Sequence, residues 1–114
     1  MSNAIRDVVS GYIENMKDKL ENIVDTLYKT PETAFNEEKS SFLLCSILED
    51  EGFNITRNPA GIKHSFTATF GNSSPKIAYI CEYDAIEGIG HGCGHNISSA
   101  INLGAAIGLK RGIQ

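Results

Sequence analysis

Lys76-Ile77-Ala78-Tyr79-Ile80-Cys81-Glu82-Tyr83 opens the stretch that decides the fold, and it runs on through Asp84 to Gly94 into Asn96 and a small-residue segment. Ile77 to Cys81 form a near-continuous apolar run, which predicts a strand covered on both faces. Residues 84 to 94 contain glycines at 88, 90, 92 and 94, which predicts a loop. Asn96 then reads as the N-cap of a helix from Ile97 to about Gly112. Ala100, Gly104 and Gly108 fall four apart on one face of that helix. Glycine inside a helix costs roughly 1 kcal/mol relative to alanine, so this face predicts close approach to a sheet or another helix.

Working outward, Ser65 to Phe70 alternates Phe66, Ala68 and Phe70 with Ser65, Thr67 and Thr69, the two-residue period of a strand. Phe53 to Thr56 is a second short β-type run, and Gly71 to Pro75 is a turn. Upstream the period lengthens. Val9, Ile13, Met16, Leu20, Ile23, Val24 and Leu27 recur at three- and four-residue spacing, which predicts one long amphipathic helix over residues 5–29. Thr30-Pro31-Glu32 ends it, because the residue before proline avoids helical geometry. A second helix is expected from Asn36 as N-cap, with Glu37 and Glu38 in its first turn, a stripe of Leu43, Leu44, Ile47 and Leu48, and Gly52 as the stop. The order helix, helix, strand, strand, strand, loop, helix predicts an α/β fold, helices packed on a small mixed sheet, in a single domain over residues 1–114.

Bulk composition narrows the function. The chain has 114 residues, 41% hydrophobic and 21% charged, with a formal net charge of −4. The acidic balance argues against a nucleic-acid partner, which wants a basic patch. No run of about 18 apolar residues exists, so no membrane span is expected. Met1 to Arg6 lacks the basic and apolar regions of a secretory signal, and Ser2-Asn3-Ala4 reads equally as an expression scar or as the start of the helix. Three cysteines, Cys45, Cys81 and Cys93, without close pairing are expected to be reduced thiols in a cytoplasm. Cys45 on a helix stripe and Cys81 in the apolar run read as small core residues. His64, beside Lys63 before a strand, reads as a surface residue.

The chemistry lies in the loop. His91-Gly92-Cys93-Gly94-His95 gathers two of the three histidines and one cysteine at the carboxyl end of the expected strand, where α/β sheets place their sites. Thiolate and imidazole are ligands suited to zinc and other transition metals. Two ligands one residue apart meet one ion only if the backbone bends sharply, and Gly92 and Gly94 permit that. Asp84 is placed to accept a hydrogen bond from a ligating imidazole. Zinc takes three or four protein ligands, so Cys93 and His95 are half of a site. Other readings stand beside this one: a plain strand-to-helix connector, or a nucleophilic Cys93 activated by His95 or His91. The glycines fit neither of the common phosphate-binding patterns, and Glu82 and Glu87 read as solvated.

Residues 82 to 96, E-Y-D-A-I-E-G-I-G-H-G-C-G-H-N, resemble the E-Y-D-A-L-P-G-(I/L)-G-H-A-C-G-H-N signature of metal-dependent amidohydrolases, the aminoacylase/carboxypeptidase-like metallopeptidases. Aminobenzoyl-glutamate and hippurate hydrolases belong to this family. Pro31 to Glu38 through Leu48 to Phe53 resembles its entry helix, and the closing Gly-Ala-Ala helix also fits. The resemblance implies the N-terminal part of a di-metal exopeptidase-like catalytic domain. It makes Cys93 and His95 metal ligands, with Asp84 and His91 beside the metal rather than on it. It implies a pair of zinc or manganese ions and hydrolysis of the amide in a small N-acyl amino acid or peptide. The general base, the remaining ligands and a dimerisation domain would all come from downstream, so the 114 residues are expected to be inactive alone. Two departures, Glu87 for proline and Gly92 for alanine, are expected to loosen the loop. Two other readings remain: a non-catalytic module that pairs with itself or a partner, and a homodimer in which two chains each give Cys93 and His95 to one ion. An incomplete sheet with an open edge invites the pairing.

Overall fold

The computed structural model describes residues 3–114, so the part of the N-terminal reading that falls on Met1 and Ser2 lies outside the described residues. The architecture is α/β: four helices packed on a two-stranded antiparallel sheet. The helices are α1 (Asn3–Asn15), α2 (Lys17–Lys29), α3 (Glu38–Asp50) and α4 (His95–Ile113), and the strands are β1 (Asn54–Arg57) and β2 (Phe66–Thr69). The strands pair Asn54 with Thr69 and Arg57 with Phe66 at the two ends of the ladder. Met16, Ile23, Leu27, Leu44, Leu48, Tyr83, Ala100, Leu103 and Ile107 form the core between the helices. Among the described residues no helix is long and apolar enough to cross a membrane.

The single helix expected over residues 5–29 is two helices. They meet at Met16, whose N–H is shared between the carbonyls of Tyr12 (3.1 Å) and Ile13 (3.0 Å), a tightened turn. The break lets both pieces lie along α4. A methyl at Gly104 would sit 3.1 Å from Leu20 Cδ1 of α2, and one at Gly108 would sit 2.9 Å from Ile13 of α1. The glycine face expected to approach another element therefore does so, and that element is the N-terminal helix pair rather than a sheet.

Helix α3 starts later than its sequence suggests. Asn36 does not cap it. The carboxylate of Glu32 reaches forward and accepts from the backbone N–H of Lys39 (3.0 Å) and Ser40 (2.7 Å) and from the Ser40 hydroxyl (2.7 Å). These are first-turn donors with no partner inside the helix. Burial opposes the charge on Glu32, but these donors outweigh it and hold its pKa below the ordinary 4.5. The far end follows expectation. Gly52 at φ 90° closes the helix, with its N–H to Glu49 O (3.0 Å) and the Phe53 N–H to Leu48 O (3.0 Å).

The Glu32 cap carries a pH dependence. Unfolded glutamate protonates near 4.5, and the folded carboxyl protonates lower. Between the two values the unfolded state holds more protons, so stability falls as the pH drops through that window. Glu32→Gln is expected to cost about 1–2 kcal/mol at neutral pH, the usual worth of a cap. In urea unfolding, the gap between wild type and variant should shrink once the pH falls below 4.5. A gap that stays constant from neutral to acid would show that the charge contributes nothing.

The strand expected at Lys76–Tyr83 is not formed. Residues 70–84 join no ladder, and the sheet is antiparallel rather than mixed. Ile77 is 69% and Ile80 75% exposed, so the run is not covered on both faces. The cause is physical: a strand exists through its neighbours' hydrogen bonds, and none is made here among the described residues. Only the carboxyl end is fixed. The Ser99 hydroxyl of α4 donates to Glu82 O (2.6 Å), and Tyr83 is buried with its hydroxyl donating to His64 O. Cys81 packs half-buried beside Ser99, and burial pushes its thiol up to about 11. Cys45 is buried in α3, as expected.

Candidate metal centre

The loop from Asp84 to Gly94 is braced before any ligand is considered. The Ala85 N–H bonds Glu32 O (2.7 Å), which ties the loop to the turn before α3. Ile86 and Gly90 exchange backbone hydrogen bonds of 2.9 and 2.8 Å, which closes the Glu87–Ile89 tip. A shallow cleft of about 350 Å³ lies between Pro31, Thr33 and residues 85–90. His91–Cys93 then makes a single 3-10 turn, and Gly94 at φ 84° hands the chain to α4. A side chain at Gly94 would be strained in that left-handed conformation. A methyl at Gly92 would come 3.2 Å from Ile89 Cγ2, so the turn packs more closely than alanine there would allow without Ile89 moving.

Helix α4 starts at His95, one residue before the expected cap. Asn96 is no cap but a buried tether, its side-chain amide donating to Val24 O of α2 (3.2 Å). That tether and the Ser99–Glu82 bond fix the first turn of α4 against α2 and against the segment that carries Asp84.

The consequence is a cluster around the His95 ring. Its Nδ1 lies 3.0 Å from Asp84 Oδ1 and 2.9 Å from the Asp84 carbonyl oxygen. Its Nε2 lies 3.4 Å from Glu82 Oε2. Cys93 Sγ approaches the same Asp84 carbonyl at 3.9 Å, and its side chain is exposed. Asp84, Cys93 and His95 are therefore brought together, and Glu82 joins them. Sequence reading alone makes Glu82 a solvated side chain. The signal that could find it is its two-residue spacing from Asp84, which in extended backbone puts both carboxylates on one side. At 67% exposure Glu82 adds little electrostatic energy to the pair.

His91 is buried under the turn, and neither ring nitrogen has a hydrogen-bond partner among the described residues. Burial first, then the neighbouring His95, holds its imidazole below its ordinary range, against a weaker upward pull from Asp84. Buried polar groups are nearly always partnered, so two orphaned nitrogens at this loop fit a site that engages a further group. The donor set fits a divalent transition metal in kind: one thiol, one imidazole and carboxylates at its edge. It does not complete a centre in number. Among the described residues no three His, Cys, Asp or Glu side chains converge as a metal site.

No family model matches the chain. Individual relatives do. The chain is 36% identical to one of the subunits of the p-aminobenzoyl-glutamate hydrolase of Escherichia coli (strain K12), over 93% of its own length and 26% of that protein. It is 26% identical to the Xaa-Arg dipeptidase of Mus musculus, over 90% of its length and 26% of that protein. The human Xaa-Arg dipeptidase matches at 42% over a shorter stretch of 38 residues. The chain thus spans about a quarter of the length of the first two relatives. Both are hydrolases, and similarity of this extent joins a loop whose fifteen residues, 82 to 96, follow the signature of one group of enzymes. The chain is similar over nearly its whole length to part of two hydrolases, and its loop resembles the signature of the metal-dependent amidohydrolases of the aminoacylase/carboxypeptidase-like metallopeptidase family.

Proposed function

We propose that this chain supplies one half of a di-metal amidohydrolase centre, with Cys93 and His95 as ligands to a divalent ion, zinc or manganese. The observation that carries the reading is the Asp84–His95 contact of 3.0 Å at Nδ1. A metal-ligating histidine commonly gives its other ring N–H to a carboxylate, which fixes the tautomer and orients the ring. Asp84 stands where that carboxylate belongs and leaves Nε2 for the ion. When bound, the metal supplies Lewis acidity to the carbonyl of an amide. The chain's own residues bind and orient: Asp84 holds the ring, and Gly94 at φ 84° carries the bend between Cys93 and His95. His91 packs beneath them.

The reaction is hydrolysis of the amide between an acyl group and an amino acid or small peptide. The relatives' names support that class: one acts on p-aminobenzoyl-glutamate, the others on Xaa-Arg dipeptides. Two ligands without the rest of the centre leave the 114 residues inactive by themselves, and the cytoplasm is the compartment that suits three free cysteines. Elemental analysis of the purified chain beside Cys93→Ser/His95→Ala tests the half-site. Zinc or manganese retained by the wild type and lost in the variant is the expected result. Equal metal content in both proteins removes the loop from metal binding.

A further inference from the structure

Residues 82–85 carry the acid that orients His95, and three separate contacts hold them. The Ser99 hydroxyl donates to Glu82 O (2.6 Å), and the Ala85 N–H donates to Glu32 O (2.7 Å). Between these backbone tethers the Tyr83 side chain is buried in the core. Its ring stacks on Phe66 of β2, with centroids 5.9 Å apart and planes 22° apart, and its hydroxyl donates to His64 O. Glu82 and Asp84, the residues on either side, both contact the His95 ring. Successive side chains of extended chain point to opposite sides. Anchoring Tyr83 inward therefore decides which way Asp84 points.

The carbonyl that receives Tyr83 is itself set by an unusual loop. Residues 58–65 join β1 to β2, and within them Asn58, Ala60 and His64 take left-handed φ of 53°, 55° and 61°. Such backbone is uncommon in residues other than glycine, and it persists where surrounding bonds enforce it. Here they do. The Asn58 N–H donates to Ser65 O (2.8 Å), the His64 N–H to Asn58 Oδ1 (3.0 Å) and the Ser65 hydroxyl to Ile62 O (2.7 Å). A hairpin that only has to reverse the chain closes in two residues. This longer one delivers a fixed backbone oxygen to a buried hydroxyl.

We propose that Tyr83 is a positioning residue served by the 58–65 loop: left-handed His64 presents the carbonyl, Tyr83 takes it, and Asp84 is thereby fixed against His95. The inference rests on the reading of Asp84 as the carboxylate partner of a ligating His95. Nδ1 of that ring faces two acceptors, the Asp84 carboxylate at 3.0 Å and the Asp84 carbonyl at 2.9 Å. Two acceptors there require the hydrogen on Nδ1, which leaves the Nε2 lone pair for an ion. Loss of the Tyr83 anchor frees Asp84 to turn and lets the hydrogen move to Nε2.

Nitrogen-15 NMR of the histidine rings reads the His95 tautomer in the metal-free chain, at one mildly alkaline pH. Tyr83→Phe keeps the stacked ring and removes the hydroxyl. Asn58→Ala removes the oxygen that holds the His64 N–H. Tyr12→Phe is the control: it deletes a hydroxyl bonded to Glu51 (3.1 Å) beside Arg111, about 24 Å along α4 from His95. Wild type is expected to hold the Nδ1–H form. Tyr83→Phe and Asn58→Ala should each move the tautomer ratio about threefold or more toward Nε2–H. Each should weaken cobalt binding by about three- to tenfold, less than loss of the orienting carboxylate itself. Tyr12→Phe should move neither, although urea unfolding shows it to be less stable than wild type. An unchanged ratio in Tyr83→Phe overturns the proposal, and one unchanged in Asn58→Ala alone strikes the loop from it. A Tyr12→Phe ratio that moves as far also overturns it, because lost stability then explains the shift. So does a wild type that already favours Nε2–H, since Asp84 then holds no ring. A tautomer shift in a chain that binds no cobalt sinks the metal reading and leaves the link from Tyr83 through Asp84 to His95 standing.

Discussion

His95→Ala is expected to weaken zinc or cobalt binding by at least a hundredfold, and Cys93→Ser by a comparable factor. Each removes one of two protein donors, and a hundredfold is about 2.7 kcal/mol. Asp84→Asn should cost less, about 10–100-fold, since it takes away no ligand but loosens the ring that Asp84 now holds at 3.0 Å. Glu87→Gln, at the exposed tip of the same loop, should leave affinity unchanged. The ranking matters more than any single value. A loop that gathered metal by net negative charge would respond to Glu87 as much as to Asp84. Affinity should also rise with pH, because a ligating thiol must give up its proton. The check is a cobalt titration followed through the thiolate-to-cobalt charge-transfer absorption, which reports the Cys93 sulfur directly. A Cys93→Ser protein that binds cobalt as the wild type does would remove Cys93 from the site and return the loop to a plain connector.

The parts of the molecule that sequence discloses are those whose cause is local. Gly52 ends α3 because a left-handed residue is needed there, and Gly94 bends the chain sharply between Cys93 and His95 for the same reason. The Gly104–Gly108 face meets a neighbouring helix because absent side chains leave room for one. The caps escape a local reading because their partners are distant: Glu32 reaches seven residues forward to Lys39, and Asn96 is spent on Val24 of α2, seventy-two residues upstream. The break at Met16 carries no proline or glycine and follows from fitting two helices to one partner. The Lys76–Tyr83 run shows the limit most clearly. Its apolar pattern states what the segment requires, a neighbour on each side, and pattern cannot say whether these 114 residues contain that neighbour. The candidate site divides in the same way. The Cys93–His95 spacing and the role of Asp84 as the partner of His95 can be read from the loop. The approach of Glu82 depends on how the segment before it is anchored to Ser99, and the unpartnered burial of His91 depends on how the turn folds over it.

Leu103→Ala is expected to be the most damaging single substitution outside the loop. Leu103 is 1% exposed and sits in the core where α4 meets the N-terminal helices. Truncation there loses the transfer energy of the side chain and leaves a cavity, together about 3–4 kcal/mol. A chain of this size has about 6–17 kcal/mol of total stability by the usual per-residue scale. The low end is the relevant one here, because the apolar run before the loop stands exposed over Ile77 to Ile80 and only Cys81 of it packs against the core. Half the stability would then rest on one side chain, and the melting temperature should fall by about 4–8 °C for each kcal/mol lost. The comparison that isolates the cause lies on the same helix. Ile97 and Ile101 are 52% and 64% exposed on the opposite face of α4, so Ile97→Ala and Ile101→Ala should each change stability by no more than about 0.5 kcal/mol. Thermal and urea unfolding of the three variants side by side provides the measurement. Equal losses at all three positions would mean that both faces of α4 are buried in solution, which would require a surface covering Ile97 and Ile101. A loss confined to Leu103 fixes α4 as a one-sided helix whose apolar contacts are with α1 and α2, the arrangement that also holds His95 beside Asp84.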